Sequence, residues 1–198
     1  MNIFKQQFNT LCNTTSDINE HLPTLYSYAT RCETIFETGV RGVVSSWALA
    51  HGLLNNTSSK KYLLLNDIMP CDVASLIESS RNTDLQIECE WKNNLDIQLK
   101  HRFDMMFIDT WHSYAQLKRE LKKFAKQINK FIIMHDTTIY ANRGEPLYVN
   151  NVTWPQEEIT KGLWPAIEEF LHEHSNEWSI LARYINNNGL TILKRINE

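Results

Sequence analysis

The sequence predicts an α/β fold: an open, doubly wound sheet, mostly parallel, that finishes in a C-terminal antiparallel hairpin. Three observations carry this. From residue 34 onward, short apolar or β-prone runs alternate with helix-like patterns, the order expected of strand–helix–strand units. Several runs stop abruptly at polar groups, notably Met105 to Ile108 before Asp109 and Phe131 to Met134 before His135-Asp136. Buried parallel strands end this way when they deliver side chains to the sheet edge where ligands bind. Residues 178–195 then read as a strand, an Asn186-Asn187-Asn188-Gly189 turn and a second strand.

Residues 1–30 suit one or two short helices: Ile3, Phe4, Phe8 and Leu11 approximate a stripe, and Asp17 precedes a second helix with Pro23 in its first turn. Thr34-Ile35-Phe36 is the first strand, followed by Glu37-Thr38-Gly39-Val40-Arg41-Gly42 and a helix beginning near Ser45. Gly39 would let a ligand approach the backbone and the helix start would offer free N–H groups, although turns also use glycine for steric reasons alone. Tyr62 to Leu65 is the second strand. Asp67 beyond it stands where such sheets hold two ribose hydroxyls, or is a neighbour of a helix cap. Leu85 to Cys89 makes a third strand, and the loop Glu90 to Asn94 offers Trp91 as an adenine wall, or as ordinary packing, and an asparagine for the base edge.

The fourth strand runs into Asp109 and His112. Ser113 to Gln116 resembles a capping box, and Tyr114, Leu117, Leu121, Phe124 and Ile128 form one stripe at helical spacing. Opposite lie Lys118, Arg119, Lys122, Lys123 and Lys126, most simply a solvated face. After the fifth strand, residues 138–163 lack clear periodicity and are read as a substrate-covering loop, with Tyr140, Tyr148, Trp154 and, just beyond it, Trp164 as aromatic contacts. Core packing explains these aromatics equally well. Helical patterning resumes over Trp164 to His172, where His172 and His174 face different directions, against a paired metal site.

Composition narrows the function. The chain has 198 residues, enough for one domain with a sizeable core, and its formal net charge of -3 gives no electrostatic case for nucleic acid. The cysteines Cys12, Cys32, Cys71 and Cys89 are far apart without a C-x-x-C pair, which points to a reduced, cytoplasmic setting. No apolar run approaches the roughly 20 residues that cross a bilayer, so no membrane association is expected.

Taken together, Glu37 to Ser45, Phe107-Ile108-Asp109-Thr110-Trp111-His112-Ser113-Tyr114 and Ile133-Met134-His135-Asp136-Thr137 resemble three segments of the class I S-adenosylmethionine-dependent methyltransferases. They are most similar to the metal-dependent sugar and small-molecule O-methyltransferases and the cephalosporin hydroxylase-like proteins. The resemblance implies a Rossmann-like, seven-stranded methyltransferase sheet and one methyltransferase domain over residues 1–198. It implies that the cofactor S-adenosylmethionine contacts Glu37, Gly39, Arg41, Ser45, Asp67, Trp91, Asn93 and Asp109. It further implies a divalent metal, Mg²⁺ by analogy, on Asp109, His135 and Asp136, with His112 as general base and Asp109, His112 and Asp136 as the catalytic set. Four departures stand out: Val43 where the second glycine falls, Thr110-Trp111 in place of Gly-Asp, Asn129-Lys130 in place of Gly-Gly before the fifth strand, and His135 where relatives carry an acid.

The expected acceptor is a hydroxyl of a sugar, glycan or small molecule, and self-association is left open. Two rivals remain. A nicotinamide-dependent oxidoreductase also uses an acid after the second strand, but the first loop lacks G-x-G-x-x-G. A non-catalytic cofactor-binding protein on the same fold differs only in lacking methyl transfer.

Overall fold

In chain order the computed structural model, which describes residues 3–146 and 153–196, runs α1 (Ile3–Cys12), α2 (Leu22–Ala29), β1 (Thr34–Thr38), α3 (Val44–Leu54), β2 (Lys61–Asp67), α4 (Ala74–Ser80), β3 (Leu85–Trp91), β4 (Phe103–Ile108), α5 (Tyr114–Phe124), β5 (Ile128–His135), α6 (Gln156–Thr160), α7 (Leu163–Glu173), β6 (Trp178–Tyr184) and β7 (Leu190–Arg195). The strands form one sheet ordered β3-β2-β1-β4-β5-β7-β6. Strands β1 to β5 pair in parallel, and β7 runs antiparallel between β5 and β6. This is the mostly parallel, seven-stranded Rossmann-like sheet expected from the sequence.

Successive residues on a strand point to opposite faces, so the apolar central strands feed two layers. Ile35, Met105, Phe107 and Ile133 join Phe4, Leu25 and Leu49 in one; Phe36, Met106, Ile108 and Ile132 join Leu117, Phe124 and Ile167 in the other. Helices cover both faces, which is why every residue of β1 and β4 is buried and their sequences show no polar alternation.

Some boundaries differ from expectation. The stripe read through Ile128 ends at Phe124: a 3-10 turn over Ala125–Gln127 stops α5, and Ile128 starts β5. Glu90 and Trp91, expected in a loop, continue β3, because β2 supplies ladder partners as far as Asp67, opposite Trp91. The segment 138–163 holds the helix α6, too short to show a period, and is tied back by a bridge between Arg143 and Lys161. Tyr148 lies outside the described residues. Among the described residues no helix is long and apolar enough to cross a membrane.

Strand order reverses between β1 and β4, and the carboxyl ends of β1, β2, β4 and β5 meet there. One backbone contact closes the junction. The Asp109 N–H donates to the Thr38 carbonyl at 2.9 Å, and Gly39, at φ 90°, lies so near that a Cβ would fall 1.9 Å from the Asp109 carbonyl oxygen. Gly39 was expected to admit a ligand; what it admits in this structure is the Asp109–Thr110 peptide. Gly39→Ala is therefore expected to destabilise the protein by on the order of 3 kcal/mol, combining a disfavoured φ with overpacking. Urea unfolding measures this, and a loss below about 1 kcal/mol would mean that the loop gives way freely.

Candidate active site

The first side of the site is the β1–α3 loop. Glu37 is fully buried, and the Ser45 hydroxyl in the first turn of α3 donates to its Oε1; Oε2 has no hydrogen-bond partner among the described residues. Burial pushes the Glu37 carboxyl up to about 8 against the opposing effect of Ser45. Asp67 reaches across from β2 and accepts the Val40 and Arg41 N–H groups on Oδ2, both at 3.0 Å, with the Met69 N–H on Oδ1 at 3.2 Å. Asp67 thus holds the loop ahead of α3 by two of its amides. The Arg41 side chain turns away to pair with Asp17 before α2. Val43, at the second glycine position, keeps a left-handed φ of 62°, an uncommon conformation for a β-branched residue.

The second side comes from β4 and β5. His112 Nε2 lies 3.3 Å from Asp109 Oδ1 and 2.8 Å from Asp136 Oδ2, and its Nδ1 lies 2.9 Å from Glu145 Oε2. The ligand atoms of Asp109, His112 and Asp136 all fall within 4.8 Å of one another. Burial alone would lower the His112 pKa, but the carboxylates of Asp109, Asp136 and Glu145 outweigh it and push the imidazolium up to about 12. For Asp109, burial is likewise outweighed, here by His112 and His135, which hold it well below the usual carboxylate range. Asp136 is 4% exposed, sits at φ 59°, and has one carboxylate oxygen, Oδ1, without a hydrogen-bond partner among the described residues. A strained backbone presenting a buried, partly unsatisfied carboxylate beside a second acid and imidazoles fits a divalent cation.

Beneath these groups runs a buried polar network. Thr38 donates to Asn66 Oδ1 at 2.8 Å and accepts from Asn94 at 2.9 Å. Asn94 and Gln116 donate to Glu120 Oε1, as does the Thr110 hydroxyl at 2.7 Å. Burial raises the pKa of Glu120 despite these three donors. Above, Tyr140 stacks on the His112 ring at 4.8 Å, Trp154 stacks on Trp111, and the Arg119 guanidinium lies 4.4 Å from the Trp154 ring centre. Trp164 instead packs under Arg183.

Of the residues singled out in sequence, Asp109, His112, His135 and Asp136 come together, and Glu37, Gly39, Ser45 and Asp67 gather at the adjoining loop. Trp91 is partly buried against the core, opposite Asp67 in register. Asn93 uses its side chain to cap a 3-10 turn, accepting from the Leu95 N–H at 3.0 Å. The residue that reaches the interior is its neighbour Asn94. Sequence reasoning also missed Glu120 and Glu145. Glu120 carried a signal, an acid within the stripe Leu117, Leu121, Phe124; Glu145 carried none, because it meets His112 across a segment without periodicity.

No protein-family model matches the sequence, and no curated protein does. Solved structures do. An SAH-bound methyltransferase from Podospora anserina is 15% identical with a TM-score of 0.61, the match covering 100% of this chain and 89% of that one. An O-methyltransferase from Bacillus cereus in complex with SAH is also 15% identical, TM-score 0.61, over 97% and 90% of the two chains. TomG from Streptomyces achromogenes, an O-methyltransferase of tomaymycin synthesis in complex with SAM, is 14% identical, TM-score 0.60, over 92% and 81%. The fold is thus that of the class I S-adenosylmethionine-dependent methyltransferases.

His112 gives a pH signature in chelator-treated protein. Its folded pKa lies above the unfolded value near 6.5, so its stabilisation is full below that value and declines as pH rises toward about 12. Between pH 6.5 and 8 the native protein is expected to lose stability relative to His112→Gln by up to about 1.4 kcal/mol per pH unit. Parallel denaturant titrations would test this, and identical slopes would show that His112 is not held as the imidazolium.

Proposed function

We propose that the protein is an S-adenosylmethionine-dependent O-methyltransferase acting on a hydroxyl of a small molecule or glycan, with a divalent cation held by Asp109 and Asp136. The observation that carries this is the convergence, at the switch point of a methyltransferase fold, of a buried acid with its serine (Glu37, Ser45) and an acid–imidazole cluster (Asp109, His112, Asp136). The loop supports a nucleoside sulfonium over a dinucleotide: it lacks the G-x-G-x-x-G pattern, and its Val40 and Arg41 N–H groups are already bonded to Asp67. Glu37 suits the cofactor's ammonium group, and Asp67 retains lone pairs for ribose hydroxyls. Trp111, Tyr140 and Trp154 offer flat faces suited to a sugar or aromatic acceptor. The four free thiols accord with a cytoplasmic setting.

In the transfer, an acceptor oxygen attacks the methyl carbon in line with sulfur. The O–C bond forms as the C–S bond breaks, its electron pair staying on sulfur, and S-adenosylhomocysteine leaves. The hydroxyl proton goes to His112 Nε2, whose partner nitrogen Nδ1 keeps its hydrogen bond to Glu145, an orienting carboxylate behind a base. Asp109 and Asp136 would hold a divalent cation, which would supply positive charge for the developing alkoxide, and carboxylates so engaged would no longer retain the His112 proton.

Methyl transfer to a panel of sugar and catechol hydroxyls tests the activity directly. His112→Ala is expected to lower kcat by roughly 10²- to 10⁴-fold while leaving S-adenosylhomocysteine affinity within about twofold; an unchanged kcat would refute the base assignment, and cofactor binding without any transfer would favour a binding protein. Because Glu37 must ionise to meet an ammonium, metal-free S-adenosylhomocysteine affinity should rise by up to about tenfold per pH unit between pH 5.5 and 7.5. Calorimetry should find that dependence flattened in Glu37→Gln; a native profile already flat would place Glu37 outside the cofactor site.

A further inference from the structure

His135 stands where an acid was expected, and its surroundings give it a defined orientation. The ring is 1% exposed, and Nε2 lies 3.1 Å from the Asn187 carbonyl, an acceptor that only an N–H satisfies. Nδ1 shares a proton with Asp109 Oδ1, 3.3 Å away, and faces Asp136 Oδ2, 3.6 Å away; because Nε2–H is held by Asn187, loss of that proton would leave the Nδ1 lone pair aimed at the point the two acids share. This is how a ligating histidine is set by the partner of its other nitrogen.

The Asn187 carbonyl is itself well anchored. Asn187 and Asn188 adopt left-handed φ values of 42° and 67° in the β6–β7 turn. The Asn187 side chain donates to the Ser16 carbonyl at 2.9 Å and accepts the Glu20 N–H at 3.0 Å, while His21 Nε2 lies 3.1 Å from the same Asn187 carbonyl. His135 thus has one nitrogen committed to a fixed acceptor and the other aimed at two acids, of which Asp136 keeps a buried oxygen without a partner among the described residues.

We infer that His135 Nδ1 is a third ligand beside Asp109 and Asp136, and that the resulting nitrogen-containing centre selects a borderline transition-metal dication over Mg²⁺, an inference that rests on the cation-assisted reading above. Mg²⁺ is a hard ion that favours oxygen donors and retains water, whereas imidazole suits borderline ions such as zinc, iron, nickel and, between the last two in affinity order, cobalt. His112, backed by Glu145, remains the base.

The test titrates the chelator-treated full chain with Co²⁺ and with Mg²⁺ by calorimetry, and follows the Co²⁺ visible bands. Every nitrogen- or oxygen-donor site binds Co²⁺ more tightly than Mg²⁺ to some degree, so the informative quantity is the change in their affinity ratio. In His135→Asp, where a carboxylate oxygen takes the place of Nδ1, the Co²⁺-to-Mg²⁺ ratio is expected to fall by about tenfold or more and the Co²⁺ bands to shift. In His112→Gln the ratio should stay within about threefold. A ratio unchanged in His135→Asp, or one that falls only in His112→Gln, overturns the inference. If His135→Asp does not fold, His135→Asn, uncharged and of similar shape, carries the same expectation. Native protein that binds neither ion overturns both the ligand assignment and the cation; S-adenosylhomocysteine binding in the same samples reports separately on the methyltransferase reading.

Discussion

The contact between Gly39 and the Asp109 peptide is the constraint on which the site depends. It brings the loop after β1 and the end of β4 to the shortest separation a backbone allows, so that the acid at each strand end faces one crevice. Asp67 then holds the same loop from β2 through two backbone N–H groups. Since one contact comes from a missing Cβ and the other from a carboxylate, the loop is positioned by shape on one side and by charge on the other. That leaves the left-handed Val43 tolerable, because the surrounding contacts over-determine the turn.

Charge compensation governs the groups beyond that loop. Asp109 and Asp136 would repel one another at this depth, and the two imidazoles beside them hold them together. The same compensation favours the charged form of His112. Glu120 is held differently: three neutral groups donate to it, and burial raises its pKa despite them. The Glu120 network and the acid–imidazole cluster thus lie on either side of Thr110, whose hydroxyl belongs to the first.

Much of this was legible in the sequence, for physical reasons. Parallel strands buried on both faces must be apolar, so Met105 to Ile108 and Phe131 to Met134 stood out, and the acids that ended them marked the sheet edge. The hairpin was legible because Asn187, Asn188 and Gly189 tolerate left-handed backbone. What escaped notice was whatever depends on distant partners. Glu145 meets His112 from an aperiodic segment, Asn187 reaches His135 through a backbone carbonyl that any residue possesses, and the extension of β3 to Trp91 follows from pairing with β2. The substitution of Ile128 from helix to strand has the same origin, since helical spacing alone does not show where a 3-10 turn intervenes.

Residues 16–21 lie far in sequence from the strand ends that build the site, yet they hold the turn whose carbonyl orients His135, across sequence separations of 165 to 171 positions. Contacts that distant form late, because the loop they close is nearly the whole chain. During synthesis the sheet from β1 to β5 would be available well before the β6–β7 turn emerges, leaving Asp109 and Asp136 beside a histidine without its anchor. The orientation of His135 would then be the last geometry of the acid–imidazole cluster to become fixed.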